Sequence, residues 1–271
     1  MDNTNAIVQE NNEIQNAVSL FRYALVLQYN GTKYHGWQVQ LNSETIQGVL
    51  ERSFSNVLRR ETKIYGCGRT DTGVHARHFV ANFEAVDMDE QELEELVRKM
   101  NAYLPNDIRI FKIKKMDYAF NARFDAVSRT YKYYIATQKQ PYNEDFCLLY
   151  SGELDVEKMN RAAARMYEYS DFASFTTAEL GEVNNFRCNL MLAYWKKEGD
   201  YLVFTIKANR FLRNMVRCVV GTLLAVGKGT ITEDDFVRII KAKDRKQAMS
   251  SALAKGLFLE NIEYKDLNLQ R

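Results

Sequence analysis

At 271 residues, 46% of them apolar and 27% charged, the chain has enough apolar surface for one large domain or two ordinary ones. A net charge of +2 does not announce a nucleic-acid binder, and four cysteines without CxxC spacing beside only three histidines give neither a disulfide framework nor a zinc site. The N-terminus lacks a basic region followed by an apolar run, and no apolar stretch is long enough to span a membrane, so the cytoplasm is the expected compartment.

Residues 1–20 are expected to form a disordered tail, being rich in Asn and Gln. Tyr23, Leu25, Leu27 and Tyr29 then alternate as in a strand, and Ile46, Val49, Leu50, Phe54 and Val57 follow helical spacing. A strand at 63–66 enters a glycine-rich turn, and residues 78–84 leave it as a strand with Phe79, Ala81 and Phe83 on one face. Asp89 and Glu92 form a capping pair for a helix whose inner face is Leu93, Leu96, Val97 and Met100, and residues 108–116 read as a strand. The order is βαββαβ, a ferredoxin-like unit.

The second half repeats that layout. A strand at 129–137 precedes a helix marked by Val156, Met159, Ala163 and Met166 and capped by Asp155. Strands at 190–196 and 201–207 flank the hairpin signal Gly199-Asp200. Leu212, Met215, Val216, Val219 and Leu223 predict a second helix, Thr232 opens a shorter one, and residues 256–263 supply the last strand. The expected fold class is α+β, with two ferredoxin-like halves at 21–118 and 119–267 and a mixed or antiparallel sheet.

The chemistry concentrates in residues 65–76, YGCGRTDTGVHA, where Gly66, Gly68 and Gly73 let backbone approach a ligand around Arg69 and Asp71. A guanidinium favours the charged form of a nearby carboxylate, which suits a nucleophile or general base; the bland alternative is a surface pair in a loop. Cys67, between two glycines, reads as a small packed residue rather than a nucleophile. Residues 207–246 hold ten Lys or Arg against four acidic residues, a stretch suited to phosphate contacts or simply a solvated face.

The segment GRTDTGVHA closely resembles the catalytic loop of the TruA family of tRNA pseudouridine synthases, whose pattern is G-R-T-D-x-G-V-H-A. YNGTKYHGWQVQ and TIQGVLERSFSNVL before it are similar to the family's segments, as are LPNDIRI, ARFDAVSRTYKYYI, DFASF, FLRNMVRCVVG and GLFL after it, all in the family's order from residue 23 to 264. The resemblance implies two units with an active-site cleft between them. It also implies isomerisation of uridine to pseudouridine at nucleotides 38–40 of the anticodon stem-loop, tRNA as partner, a homodimer, and neither metal nor redox cofactor, since nothing enters or leaves overall.

Residue by residue, the resemblance makes Asp71 the catalytic aspartate, attacking C6, attacking C1′ or removing the C2′ proton. Arg69 matches the arginine that helps fill the space of the extruded base, and Tyr131 the tyrosine lying against the target base. Arg217, set among apolar residues where an unpaired charge is costly, is assigned to hold Asp71, and Leu257 to form an apolar wall near the base. His75 is expected to fix the loop by hydrogen bonds rather than to move protons. Ser170 and Leu253 depart from the histidine and proline of many relatives, outside the Asp71 constellation. A relative acting on another RNA site, or a non-catalytic RNA-binding module, would share much of this pattern.

Overall fold

The computed structural model describes residues 19–178, 181 and 183–270, so the expected N-terminal tail lies outside the described residues up to position 18. The first apolar alternation forms β1 (Phe21–Tyr29), flanked by antiparallel β3 (His75–Ala85) and β4 (Ile108–Met116). Between β1 and β3 come α1 (Ile46–Leu58), capped by the Thr45 side chain accepting the Gly48 N–H, and the short β2 (Tyr65–Gly66) paired with β3. α2 (Glu90–Tyr103) opens on the expected capping box, in which Asp89 accepts the Glu92 N–H and Glu92 accepts the Asp89 N–H.

The second half contributes β5 (Ala126–Ala136), β6 (Leu148–Leu149), α3 (Val156–Arg165), β7 (Leu190–Glu198), β8 (Tyr201–Ala208), α4 (Met215–Gly227), α5 (Glu233–Ala242) and β9 (Leu257–Tyr264). Asp155 caps α3 through the Lys158 N–H, and Thr232 with Asp235 makes a second capping box at α5. β6 is too short to show a periodicity and was not legible in the sequence.

All nine strands join one sheet in the order β4-β1-β3-β9-β5-β8-β7, with β2 beside β3 and β6 beside β5. Every pairing is antiparallel except β3 with β9 and β5 with β6, so the α+β class holds. The β3–β9 junction consists of two residue pairs only, His75 opposite Phe258 and Ala76 opposite Leu259. It falls directly after the glycine-rich loop, at the middle of the sheet.

Two large apolar clusters lie on the sheet. One gathers Tyr23, Phe79 and Phe83 of the strands with Phe54 of α1 and Leu96 of α2; the other gathers Tyr133, Phe204 and Ile206 with Met159 of α3, Val219 of α4 and Phe236 of α5. Tyr131 packs against both. β1 and β3 are buried along both faces rather than one. The reason is that the 117–125 loop and the C-terminal tail close their second face: the Ala122 N–H donates to Asn82 Oδ1 (2.9 Å) and His78 Nε2 meets the Leu269 carbonyl (2.9 Å).

α4 differs from its sequence reading. It begins at Met215 rather than near Leu212, because Asn214 takes a left-handed backbone (φ 61°) that starts a new direction. It is also buried around nearly its whole circumference, which explains a run of apolar residues too dense for a one-sided helix. Among the described residues no helix is long and apolar enough to cross a membrane.

Candidate active site

The loop at 67–74 links β2 to β3 and is held by the segment that follows β1. The Trp37 N–H donates to the Thr70 carbonyl (3.1 Å), and the Gly73 N–H to the Tyr34 carbonyl (3.2 Å). Gly36 makes this approach possible: its φ is +84°, and a Cβ there would meet the Thr70 carbonyl oxygen at 2.4 Å. Of the loop's own glycines only Gly73 needs a left-handed backbone (φ +75°). Below the loop the Tyr29 and Thr70 hydroxyls share a buried hydrogen bond (2.9 Å).

His75 closes the far end of the loop. It is fully buried, accepts the Gly31 N–H at Nδ1 (3.0 Å), and directs Nε2 at the carbonyls of Asp145 (3.1 Å) and Lys255 (3.2 Å). An acceptor at one nitrogen and a donor at the other define a neutral ring, and burial pushes its pKa down to about 4. His75 therefore ties the loop to the second half, with its ring stacked on Phe258 (4.6 Å), as expected of a fixing residue.

Asp71 and Arg217, 146 positions apart, meet with Asp71 Oδ2 3.5 Å from Arg217 Nη1. Both are partly buried, their side chains 32% and 21% exposed. Arg217 stands in the first turn of α4, where the helix dipole opposes a cation, so its placement needs partners. It has two: Asp71, and the Ala252 carbonyl, to which Nε donates (2.8 Å), while the Ala252 N–H returns a bond to the Arg217 carbonyl (3.0 Å). Of the two arginines linked to Asp71 in the sequence, the one that pairs with it is Arg217. Arg69 is exposed and makes no ion pair among the described residues.

Tyr131 of β5 sits between the two clusters, its ring edge-on to Phe211 (5.1 Å). Burial raises its pKa, the neighbouring Cys67 thiol and Asp71 carboxylate add to the rise, and Arg129 partly offsets it, so the phenol stays protonated at neutral pH. Leu257 opens β9 opposite Tyr133, buried in the cluster that also holds Val74, and so backs the loop three residues beyond Asp71. Cys67 is buried, and burial pushes its thiol up to about 12, which removes it from nucleophilic work at neutral pH.

The structure also gives roles to two features whose roles the sequence reading did not assign. The 29–40 segment is a brace for the loop, as described. Arg129, two residues before Tyr131, sends its guanidinium to four backbone carbonyls around the site. Its sequence signal is faint, a charged residue opening an aromatic strand. In the basic stretch, Lys207 is paired with Glu263 (2.8 Å) and Lys243 with Asp171 (2.9 Å), so part of that charge is neutralised within the protein.

Comparison with known proteins shows the family. The family model described as tRNA pseudouridine synthase matches residues 25–125 and 163–265. The tRNA pseudouridine synthase A of Bacteroides fragilis is 45% identical over 248 residues, covering 91% of this chain and 98% of its own length. That of Bacteroides thetaiotaomicron is 44% identical, covering 90% of each chain, and that of Francisella tularensis subsp. novicida is 37% identical, covering 92% of this chain and 96% of its own.

Proposed function

Since the chain belongs to the tRNA pseudouridine synthase family, an isomerase family acting on tRNA, we propose that it converts uridine to pseudouridine at nucleotides 38–40 of the anticodon stem-loop, with Asp71 as the catalytic carboxylate. The observation that carries this reading is the Asp71–Arg217 pair, set beside a protonated, half-covered tyrosine. The reaction breaks the C1′–N1 bond and forms C1′–C5; the proton on C5 is lost and N1 gains one, so atoms and charge balance without an added reactant. A uridine in a stem is out of reach of a carboxylate on a rigid loop until the base is extruded.

In this reading Arg217 fixes the rotamer of Asp71 and keeps it charged toward the sugar or the pyrimidine ring. Tyr131 offers a neutral aromatic face to the base, Arg69 occupies the space that the base leaves, and Leu257 gives apolar backing to the loop. Residues 21–118 and 119–267 act as two halves whose meeting line is the cleft. The protein works in the cytoplasm as a homodimer, with one tRNA spanning both copies.

The test is Asp71→Asn, which keeps side-chain size but removes the charge and the reactive oxygen. Purified wild type and variant are incubated with unmodified tRNA, and binding and pseudouridine content are read on the same samples. The expected outcome is affinity within about threefold of wild type and pseudouridine below detection, whereas an exposed ion pair worth about 0–1 kcal/mol would leave turnover nearly intact. Substantial turnover by the variant would sink the assignment.

A further inference from the structure

Arg129 is a hub with no carboxylate. Its Nη1 donates to the carbonyls of Ala126 (2.9 Å) and Asn209 (2.8 Å), and its Nη2 to those of Cys67 (3.0 Å) and Arg123 (2.6 Å). Three of these acceptors lie on separate segments: the 67–74 loop, the 117–125 loop and the turn after β8. Each segment carries an arginine at or just beyond the bonded carbonyl, namely Arg69, Arg123 and Arg210. One partly buried guanidinium thus gathers three segments that each carry another arginine, and among the described residues none of the four arginines has a carboxylate within ion-pair distance. The proximity is felt at Arg123, whose pKa is lowered first by burial and then by the charges of Arg69, Arg129 and Arg210.

Four like charges brought together without a counter-ion cost free energy unless an anion completes them. We propose that Arg123 and Arg210, arrayed by Arg129 beside Arg69, form a cradle for one phosphodiester of the RNA strand next to the extruded nucleotide. The inference rests on the reading of the chain as an RNA isomerase, and concerns where the strand runs. Guanidinium forks match phosphate oxygens, and the site adjoins Tyr131, against which Arg129 also acts electrostatically. Phe124, 77% exposed with the Arg123 guanidinium over its ring (5.6 Å), stands at the outer edge of the cradle, an aromatic interleaved with basic groups as single-stranded RNA binding uses.

The test is a binding cycle between protein and RNA. Arg123→Gln/Arg210→Gln, whose parent side chains reach solvent, is compared with wild type and with Arg98→Gln, a surface control on α2 paired with Glu95. Affinity for a stem-loop RNA is measured over a salt series, then repeated with single neutral methylphosphonates on either side of the target uridine. The double variant is expected to lose about one unit of the salt slope, with its melting temperature unchanged, while the control keeps the wild-type slope. One methylphosphonate position should cost wild type about tenfold in affinity and the double variant less than twofold. Arg129→Lys, which cannot fork to four carbonyls, should reproduce the slope loss with both loop arginines present. Equal slopes in wild type and double variant, or a methylphosphonate penalty that persists undiminished in the variant, overturns the cradle. The wild-type pseudouridine assay is run alongside, so an inactive wild type counts against the functional reading and unchanged slopes count against the cradle.

Discussion

The two elements that meet at the site are built by opposite means. The 67–74 loop is positioned by backbone bonds from residues close before it in sequence, through Trp37, Tyr34 and the close approach at Gly36. α4 is positioned by side-chain packing, buried on almost every side, and brings Arg217 to the loop as part of a rigid body. A loop held by a few bonds should be able to lose its geometry while the fold survives. A core helix should lose stability before it loses position.

Arg217→Leu is expected to break the meeting point most severely. The leucine suits its apolar neighbours, so melting should change little, while turnover falls on the order of 100-fold, equivalent to about 3 kcal/mol of lost orientation at Asp71. A single-turnover assay beside a melting curve separates the two; near-normal turnover would mean that the pair is only structural.

Leu223→Ala and Gly36→Ala then separate helix from loop. The first empties space in the fully buried face of α4 and should cost about 3 kcal/mol in denaturant unfolding, with kcat of the folded fraction unchanged. The second forces a Cβ at positive φ against the Thr70 carbonyl, and should cost about 1–2 kcal/mol in stability but at least tenfold in turnover. If Gly36→Ala keeps full turnover, the loop is held by something other than this brace.

The smallest effect concerns the tie between the halves. His75 has a folded-state pKa of about 4, against about 6.5 in the unfolded chain. Above pH 6.5 both states carry a neutral ring. As pH falls below that value the unfolded chain takes up the proton first, so stability drops between pH 6.5 and about 4 and not further. The loss by pH 5 should be about 2 kcal/mol. His75→Asn should start less stable at pH 7 but show a flatter pH dependence, and equal slopes in both proteins would remove His75 from the account.

Much of the fold was legible residue by residue because helix and strand signals are local. The Asp89–Glu92 and Thr232 caps, the α1 and α3 spacings and the β4 boundaries all depend on neighbours within a turn or a strand. The reading strained where burial removed the contrast it relies on. α4 is apolar on all sides, so its start was set by the left-handed Asn214 rather than by periodicity, and β1 and β3 are covered on a face that alternation reads as open. For the site, the loop and its aspartate stood out as a contiguous motif, and Tyr131, Arg217 and Leu257 came through family resemblance, since no spacing rule links residues so far apart.

What the sequence by itself determined, then, is the set of elements apart from β6, the loop that carries Asp71 and the family. Only the tertiary structure decided that β3 lies beside β9 over two residue pairs, that Arg217 also bonds the Ala252 carbonyl, and that Arg129 collects carbonyls from two segments far away in sequence. The physical reason is range. Propensity, capping and amphipathic period act over a few residues, whereas these contacts are fixed by the closing of one sheet, which chooses partners by burial and hydrogen-bond satisfaction and leaves no periodic trace in the chain.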